Sequence, residues 1–108
     1  MAEKFIENRE IMEIVRKYVE KVCENYQIET MILFGSYAKG TWNEDSDIDI
    51  AIITDDIKLD IFEEELNLMR LRRKIDTRIE PHLISIEDYK NVETPLIQEI
   101  IDTGIKVA

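Results

Sequence analysis

Apolar and polar residues follow two different periods along this chain, and the changes of period mark its predicted elements. In residues 8–26 the apolar positions recur at three- and four-residue spacing, which predicts an amphipathic helix. Two short apolar runs, residues 30–34 and 50–53, each have the length of a buried β-strand. Between these runs lies the polar stretch 35–49, and the other elements are predicted to support it.

The second half of the chain continues the alternation of helix and strand patterns. Residues 58–74 carry a stripe of Phe62, Leu66 and Met69, which predicts a second amphipathic helix. Residues 76–84 alternate as a half-buried strand does, and Pro81 within them indicates an edge strand or a bulge. The remaining signals are two helix starts, one helix end and a short last strand, at Ser85, Thr94-Pro95, Gly104 and residues 105–107.

These elements predict an α/β (α+β) fold, with a mixed sheet of three or four strands flanked by helices. A chain of 108 residues can enclose one modest core, so residues 1–108 are predicted to form a single domain. We expect the acidic residues of the central stretch on the sheet face that the helices leave open.

Charge indicates the kind of partner that this chain can bind, and cysteine content indicates its cellular compartment. The chain has 24 acidic and 14 basic residues, a net charge of −10, which argues against nucleic acid and suits a basic protein partner. Its only cysteine, Cys23, cannot form an internal disulfide, as is usual in a reducing cytoplasm. No signal-peptide pattern or long apolar run occurs, so a cytoplasmic protein without a membrane span is expected.

Two features of the central stretch are hard to explain by packing alone. Asp47 and Asp49 lie two positions apart at the start of a strand, so both side chains are predicted on one face, where they repel unless water or a cation separates them. Gly35-Ser36 ends the preceding strand and is predicted to turn into a short helix over residues 36–39, with backbone N–H groups suited to phosphate. Together they predict a site for a metal-bound nucleoside triphosphate.

The spacing of Gly35-Ser36, ten residues, then Asp47-x-Asp49, resembles the DNA polymerase β-like nucleotidyltransferase superfamily, and the short chain resembles its minimal nucleotidyltransferase branch. The resemblance extends over residues 5–107 and implies the nucleotidyltransferase palm fold, with ATP as substrate and Mg²⁺, as two ions, as cofactor. It implies a third carboxylate from a neighbouring strand. Glu80 is the best match and Asp76 the reserve, although aspartate is more usual there.

The resemblance also implies roles for the matched residues. Asp47, Asp49 and Glu80 are the predicted metal ligands and catalytic residues, while Gly35, Ser36 and Ser46 are predicted to bind the nucleotide. Members of this branch pair with HEPN-domain toxins, which implies an antitoxin that adenylylates a tyrosine of its toxin. A non-catalytic module that neutralises a partner by binding, and a small-molecule nucleotidyltransferase, stay as alternatives, and homo-oligomerisation is left open.

Three features have more than one interpretation. Trp42 is predicted to cap the core edge or to stack on a nucleobase. His82 is predicted to be a structural histidine, a proton-transfer group or a phosphate contact. The basic run from Arg70 to Lys74 is explained by the dipole at a helix C-terminus, or by contact with the triphosphate or a partner.

Overall fold

The computed structural model describes residues 8–108, and its first element is the predicted helix. Helix α1 covers Arg9–Asn25, and the side chain of Asn8 caps it by accepting a hydrogen bond of 3.2 Å from the Ile11 amide. Its buried residues repeat at the predicted three- and four-residue spacing, so the predicted apolar stripe is confirmed. These residues are Ile11, Val15, Tyr18 and Val22.

A four-stranded mixed sheet forms the centre of the molecule. Its strands are β1 (Thr30–Phe34), β2 (Ile48–Ile53), β3 (Ile79–Ile84) and β4 (Ile105–Lys106), in the order β3-β2-β1-β4. Strand β1 pairs antiparallel with β2 and β4, and β2 pairs parallel with β3. The predicted mixed α+β fold is therefore confirmed, and the strand that contains Pro81 lies at the sheet edge.

Four further helices connect the strands: α2 (Ser36–Lys39), α3 (Ile61–Leu71), α4 (Ile86–Asn91) and α5 (Pro95–Thr103). Asp60, Ser85 and Thr94 cap α3, α4 and α5 through side-chain oxygens, as the sequence predicted for the last two. Within residues 8–108, no helix combines the length and the apolarity that crossing a bilayer requires.

Helices pack on both faces of the sheet. On one face, α1 and Leu68 of α3 cover Ile48, Ile50 and Ile79. On the other face, α5 packs on β1 and covers Ile32, Phe34 and Ala51 through Ile97 and Ile100. The expectation that the acidic residues lie on a face free of helices was therefore wrong. The side chain of Asp49 lies on the α5 face and stays 25% exposed at its end.

The orientation of α3 differs from the one its apolar pattern suggests. Glu64 and Leu68 are its buried residues, whereas Phe62 is 65% exposed and Met69 is 37% exposed. Glu64 and Leu68 lie four residues apart and therefore share the helix face that meets the sheet. The stripe of Phe62, Leu66 and Met69 lies on the opposite face, because these residues are rotated by about 140–160° from Glu64 at 100° per residue.

The side chain of Glu64 connects α3 to the segment that precedes it and to Tyr26 at the end of α1. Its carboxylate accepts hydrogen bonds from the Lys58 amide at 2.9 Å and from the Tyr26 hydroxyl at 3.1 Å. Glu64 is 3% exposed, and a cavity of about 530 Å³ borders it. The hydrogen bond from the Lys58 amide is the main reason that the pKa of Glu64 lies below its usual value.

Glu64→Gln should lower the free energy of unfolding at pH 7 by about 1–2 kcal/mol, because the amide cannot accept all of these hydrogen bonds. The pKa of Glu64 is lower in the folded than in the unfolded protein, so this stabilisation is complete above the unfolded pKa of about 4.5 and is lost as the pH falls through the folded pKa. Urea unfolding of wild type and variant should therefore converge at acid pH.

The exposed neighbour Glu65 provides the control. Glu65→Gln removes the same charge, but from a carboxylate that is exposed to solvent. Its effect should stay within about 0.5 kcal/mol at every pH. A Glu64→Gln deficit that is the same at pH 7 and pH 3 would contradict the assignment.

Candidate active site

Three separate segments of the chain meet at one end of the sheet. The antiparallel register pairs Phe34 with Asp49, so the Gly35-Ser36 turn after β1 lies beside the start of β2. The parallel register pairs Asp49 with Glu80 of β3. Because residues paired across a sheet point to the same face, Asp49 and Glu80 are neighbours on the α5 face. The sequence predicted all three segments as parts of one site.

Gly35 makes room for Asp49. Its backbone has φ +77° and ψ −155°, a conformation that is essentially restricted to glycine. A Cβ atom at this position would lie 2.6 Å from Oδ2 of Asp49, well inside van der Waals contact. The sequence predicted that the backbone of this turn binds phosphate. The structure shows that the group which needs the space within the chain is the Asp49 carboxylate.

His82 contacts the other oxygen of the same carboxylate. Its Nε2 lies 3.2 Å from Oδ1 of Asp49, and its ring meets the ring of Phe34 edge-on, with 5.0 Å between the centroids. The register places His82 opposite Ala51, whose small side chain leaves space for the ring to reach Asp49. His82 is thus in contact with a candidate site residue, which the sequence did not reveal. Its position two residues after Glu80 already placed both on one face.

The two candidates for the third carboxylate have different surroundings. Glu80 is next to Asp49 in register, and its Oε2 lies 3.9 Å from Nη1 of Arg72, which also donates a 2.7 Å hydrogen bond to the Ile79 carbonyl. Asp76 instead binds Arg78 through side-chain contacts of 3.0 and 2.9 Å. These hydrogen bonds lower the pKa of Asp76. The contacts favour Glu80 over Asp76.

The carboxylates fit Mg²⁺ by their chemistry, and their side chains must move to bind it. Asp47 lies immediately before β2 and is exposed, and the Glu80 side chain is 49% exposed, so both are accessible to a cation. Carboxylate oxygens are the ligands that Mg²⁺ prefers. Among residues 8–108, no three acidic, histidine or cysteine side chains already form a metal cluster. Binding would therefore require these side chains to rearrange.

The loop between β1 and β2 is held by contacts of its own. The Ser46 hydroxyl accepts a 2.9 Å hydrogen bond from the Asn43 amide, which closes the turn before Asp47. Trp42 stacks on the buried ring of Tyr37 at 5.6 Å between centroids, as expected for a residue that caps the core edge. Lys39 pairs with Glu99 of α5 at 3.3 Å. The nucleotide-binding roles of Ser36 and Ser46 stay predictions.

Residues 15–107 match the model of the nucleotidyltransferase domain family, a range that contains every residue of the site described above. The chain belongs to this family. The match covers all four strands of the sheet, so the predicted family and the nucleotidyltransferase fold are confirmed.

Relatives of this nucleotidyltransferase carry more specific names. A protein of Methanocaldococcus jannaschii named as a candidate protein adenylyltransferase is 34% identical over 96 residues, covering 89% of this chain and 92% of that protein. The protein adenylyltransferase MntA of Shewanella oneidensis is 27% identical over 99 residues, covering 92% of this chain and 63% of MntA. A toxin–antitoxin crystal structure with AMP-PNP contains a chain of the same fold, with a TM-score of 0.66 at 24% identity, covering 90% of this chain and 72% of that one.

Gly35→Ala should destabilise the nucleotidyltransferase by about 2–4 kcal/mol, through backbone strain and the collision with Asp49. Gly40→Ala is the control, because Gly40 also has φ +77° and a Cβ there would meet no atom within 4 Å. That variant should lose about 1 kcal/mol from backbone strain alone. Urea denaturation measures both values.

A double-mutant cycle separates the collision from the strain. In an Asp49→Ala background the carboxylate is absent, so the cost of Gly35→Ala should fall by about 1–2 kcal/mol while the cost of Gly40→Ala stays unchanged. Equal costs of Gly35→Ala in the two backgrounds would show that Gly35 does not serve to accommodate Asp49.

Proposed function

We propose that this nucleotidyltransferase transfers AMP from ATP to a protein, with a tyrosine of a HEPN-domain toxin as acceptor, and thereby acts as an antitoxin. The observation that carries the proposal is the convergence of the Gly35-Ser36 turn, Asp49 and Glu80 at one end of the sheet. The names of the relatives support it, since both are named as protein adenylyltransferases, the first as a candidate, and one related fold occurs in a toxin–antitoxin structure with AMP-PNP.

The proposed reaction is a displacement at the α-phosphorus of ATP. The acceptor hydroxyl oxygen forms a bond to this phosphorus, the bond to the β-phosphate oxygen breaks, and pyrophosphate leaves with that electron pair. The hydroxyl proton passes to a base. Gly35 and Ser36 would bind the phosphates, because the turn at Gly35 starts α2 at Ser36 and the strand register places this turn beside the strand of Asp49.

Asp47, Asp49 and Glu80 would hold Mg²⁺, as one or two ions, at this end of the sheet. When bound, Mg²⁺ neutralises phosphate charge and lowers the pKa of a coordinated hydroxyl. Gly35 leaves room for Oδ2 of Asp49, and Nε2 of His82 lies 3.2 Å from Oδ1, so both residues would help to set the orientation of this carboxylate. Glu80, which is half exposed and adjacent to Asp49, would accept the proton of the acceptor hydroxyl.

A protein acceptor agrees with the shape and charge of the molecule. Asp47 is exposed and the side chains of Asp49 and Glu80 are partly exposed, so a bulky acceptor can approach this end of the sheet. The net charge of −10 favours association with a basic protein surface and disfavours a phosphate backbone.

Asp47→Asn and Asp49→Asn should each reduce AMP transfer by about 100-fold or more, because each removes a negative oxygen ligand and keeps the side-chain shape. The assay uses α-labelled ATP, Mg²⁺ and the protein encoded by the adjacent gene, with the label followed on that protein. Asp45→Asn, which removes the same charge two residues before Asp47, should keep wild-type activity.

The same variants distinguish transfer from neutralisation by binding alone. An antitoxin that only binds would protect cells from its toxin equally well with Asp47→Asn or Asp49→Asn, and unlabelled toxin would copurify with it. Label on an aminoglycoside or another small molecule, with none on the adjacent protein, would favour the small-molecule alternative.

Glu80→Gln should lower AMP transfer by about 10–100-fold and leave the free energy of unfolding within about 1 kcal/mol, since Glu80 is half exposed and its nearest cation is 3.9 Å away. Asp76→Asn should have the converse effect. It breaks the contacts with Arg78, so stability falls while transfer persists. If Asp76→Asn abolishes transfer in a folded protein and Glu80→Gln does not, Asp76 is the third carboxylate.

A further inference from the structure

Helix α3 presents an apolar seam to solvent, formed by Phe62, Leu66 and Met69. These residues are spaced by four and then three positions, which is the spacing of a coiled-coil seam. The opposite side of the helix carries Glu64 and Leu68, which are buried against the rest of the molecule. The helix therefore buries a carboxylate and exposes a phenylalanine, the reverse of the usual arrangement.

Exposed apolar side chains concentrate at this helix. Among residues 8–108, ten large apolar side chains are exposed, and five of them fall between positions 57 and 69, in α3 and the segment before it. The five are Ile57, Leu59, Ile61, Phe62 and Met69. Concentrated apolar surface of this kind marks an interaction site.

The charges along α3 are self-complementary. Glu63 and Arg70 border the seam on the same side, seven residues apart, near the opposite ends of the helix. Within residues 8–108, neither Glu63 nor Arg70 forms an ion pair, and the guanidinium of Arg70 bonds only the Asn67 side chain. A second copy of α3, placed antiparallel across a two-fold axis, would bring its Arg70 opposite Glu63 of the first copy. The two-fold symmetry would form this pair twice. A parallel arrangement would instead place the acidic ends side by side.

We propose that two copies of this chain associate through their α3 seams, antiparallel across a two-fold axis near Leu66. The charge pattern favours a second copy over an unrelated partner, because it complements itself in this one arrangement. The proposal goes beyond the proposed function and does not depend on it. The seam belongs to the helical layer on the sheet face of Ile48 and Ile50, whereas Asp49 points to the other face. Dimerisation therefore leaves both candidate sites open to an acceptor.

Sedimentation equilibrium of the full chain tests the proposal. Since each copy contributes one short helix, we expect a dissociation constant on the order of 10–100 µM, measured over about 1–500 µM protein. Phe62→Lys should raise this constant at least about tenfold, because it removes the most exposed apolar side chain from the seam. The variant should fold normally, and Met12→Lys, an exposed apolar residue on α1, serves as the matched control with wild-type association.

Charge reversal then tests the antiparallel geometry. Glu63→Arg and Arg70→Glu should each weaken association about threefold or more, since each sets like charges opposite one another, and the double variant should restore it. A chain that stays monomeric at about 500 µM would overturn the proposal, as would undiminished association of Phe62→Lys. Loss of binding to the adjacent-gene protein by Phe62→Lys, with a monomeric wild type, would assign the seam to that protein instead.

Discussion

The candidate site depends on the close approach of Asp49 to the backbone of Gly35. A Cβ on residue 35 would lie 2.6 Å from Oδ2 of Asp49, so a side chain there would displace this carboxylate. This constraint connects the two halves of the motif. The glycine ends β1 in a conformation that other residues avoid, and the same residue makes room for the carboxylate that the next strand supplies. The turn proposed to bind phosphate and the carboxylate proposed to bind metal are thus held side by side by one antiparallel register.

The sheet extends this arrangement by one strand. Because β3 runs parallel to β2, its first residues lie beside the first residues of β2, and Glu80 is brought next to Asp49 from about thirty positions downstream. Pro81 is tolerated because β3 is an edge strand, so the missing amide hydrogen does not leave an inner strand unpaired. His82 follows on the same face and contacts Asp49 beside Phe34. The packing that closes the core at Phe34 therefore also supports the carboxylate.

Sequence patterns predicted the elements well where a local signal was strong. Caps such as Ser85 and Thr94 and the buried strand runs are short-range features, and the structure confirms them. The pairings of Arg72 with Glu80 and of His82 with Asp49 depend on strand order and register, which no local pattern encodes. The orientation of α3 was missed for a different reason. Apolar periodicity identifies the stripe of a helix, but it cannot tell whether the core or a second molecule covers that stripe.

The carboxylate on the inner side of α3 is explained by the hydrogen-bond donors that surround it. Its inner side meets the end of α1 and the segment before α3, where backbone and hydroxyl donors need an acceptor, and Glu64 satisfies the Lys58 amide and the Tyr26 hydroxyl. An apolar residue there would leave these donors unpaired, at a cost of about 1–3 kcal/mol each. A carboxylate is therefore the favourable side chain on the inner side of α3. This requirement does not explain why Phe62 lies on the outer side. The exposed phenylalanine thus needs a separate reason, and contact with another molecule supplies one.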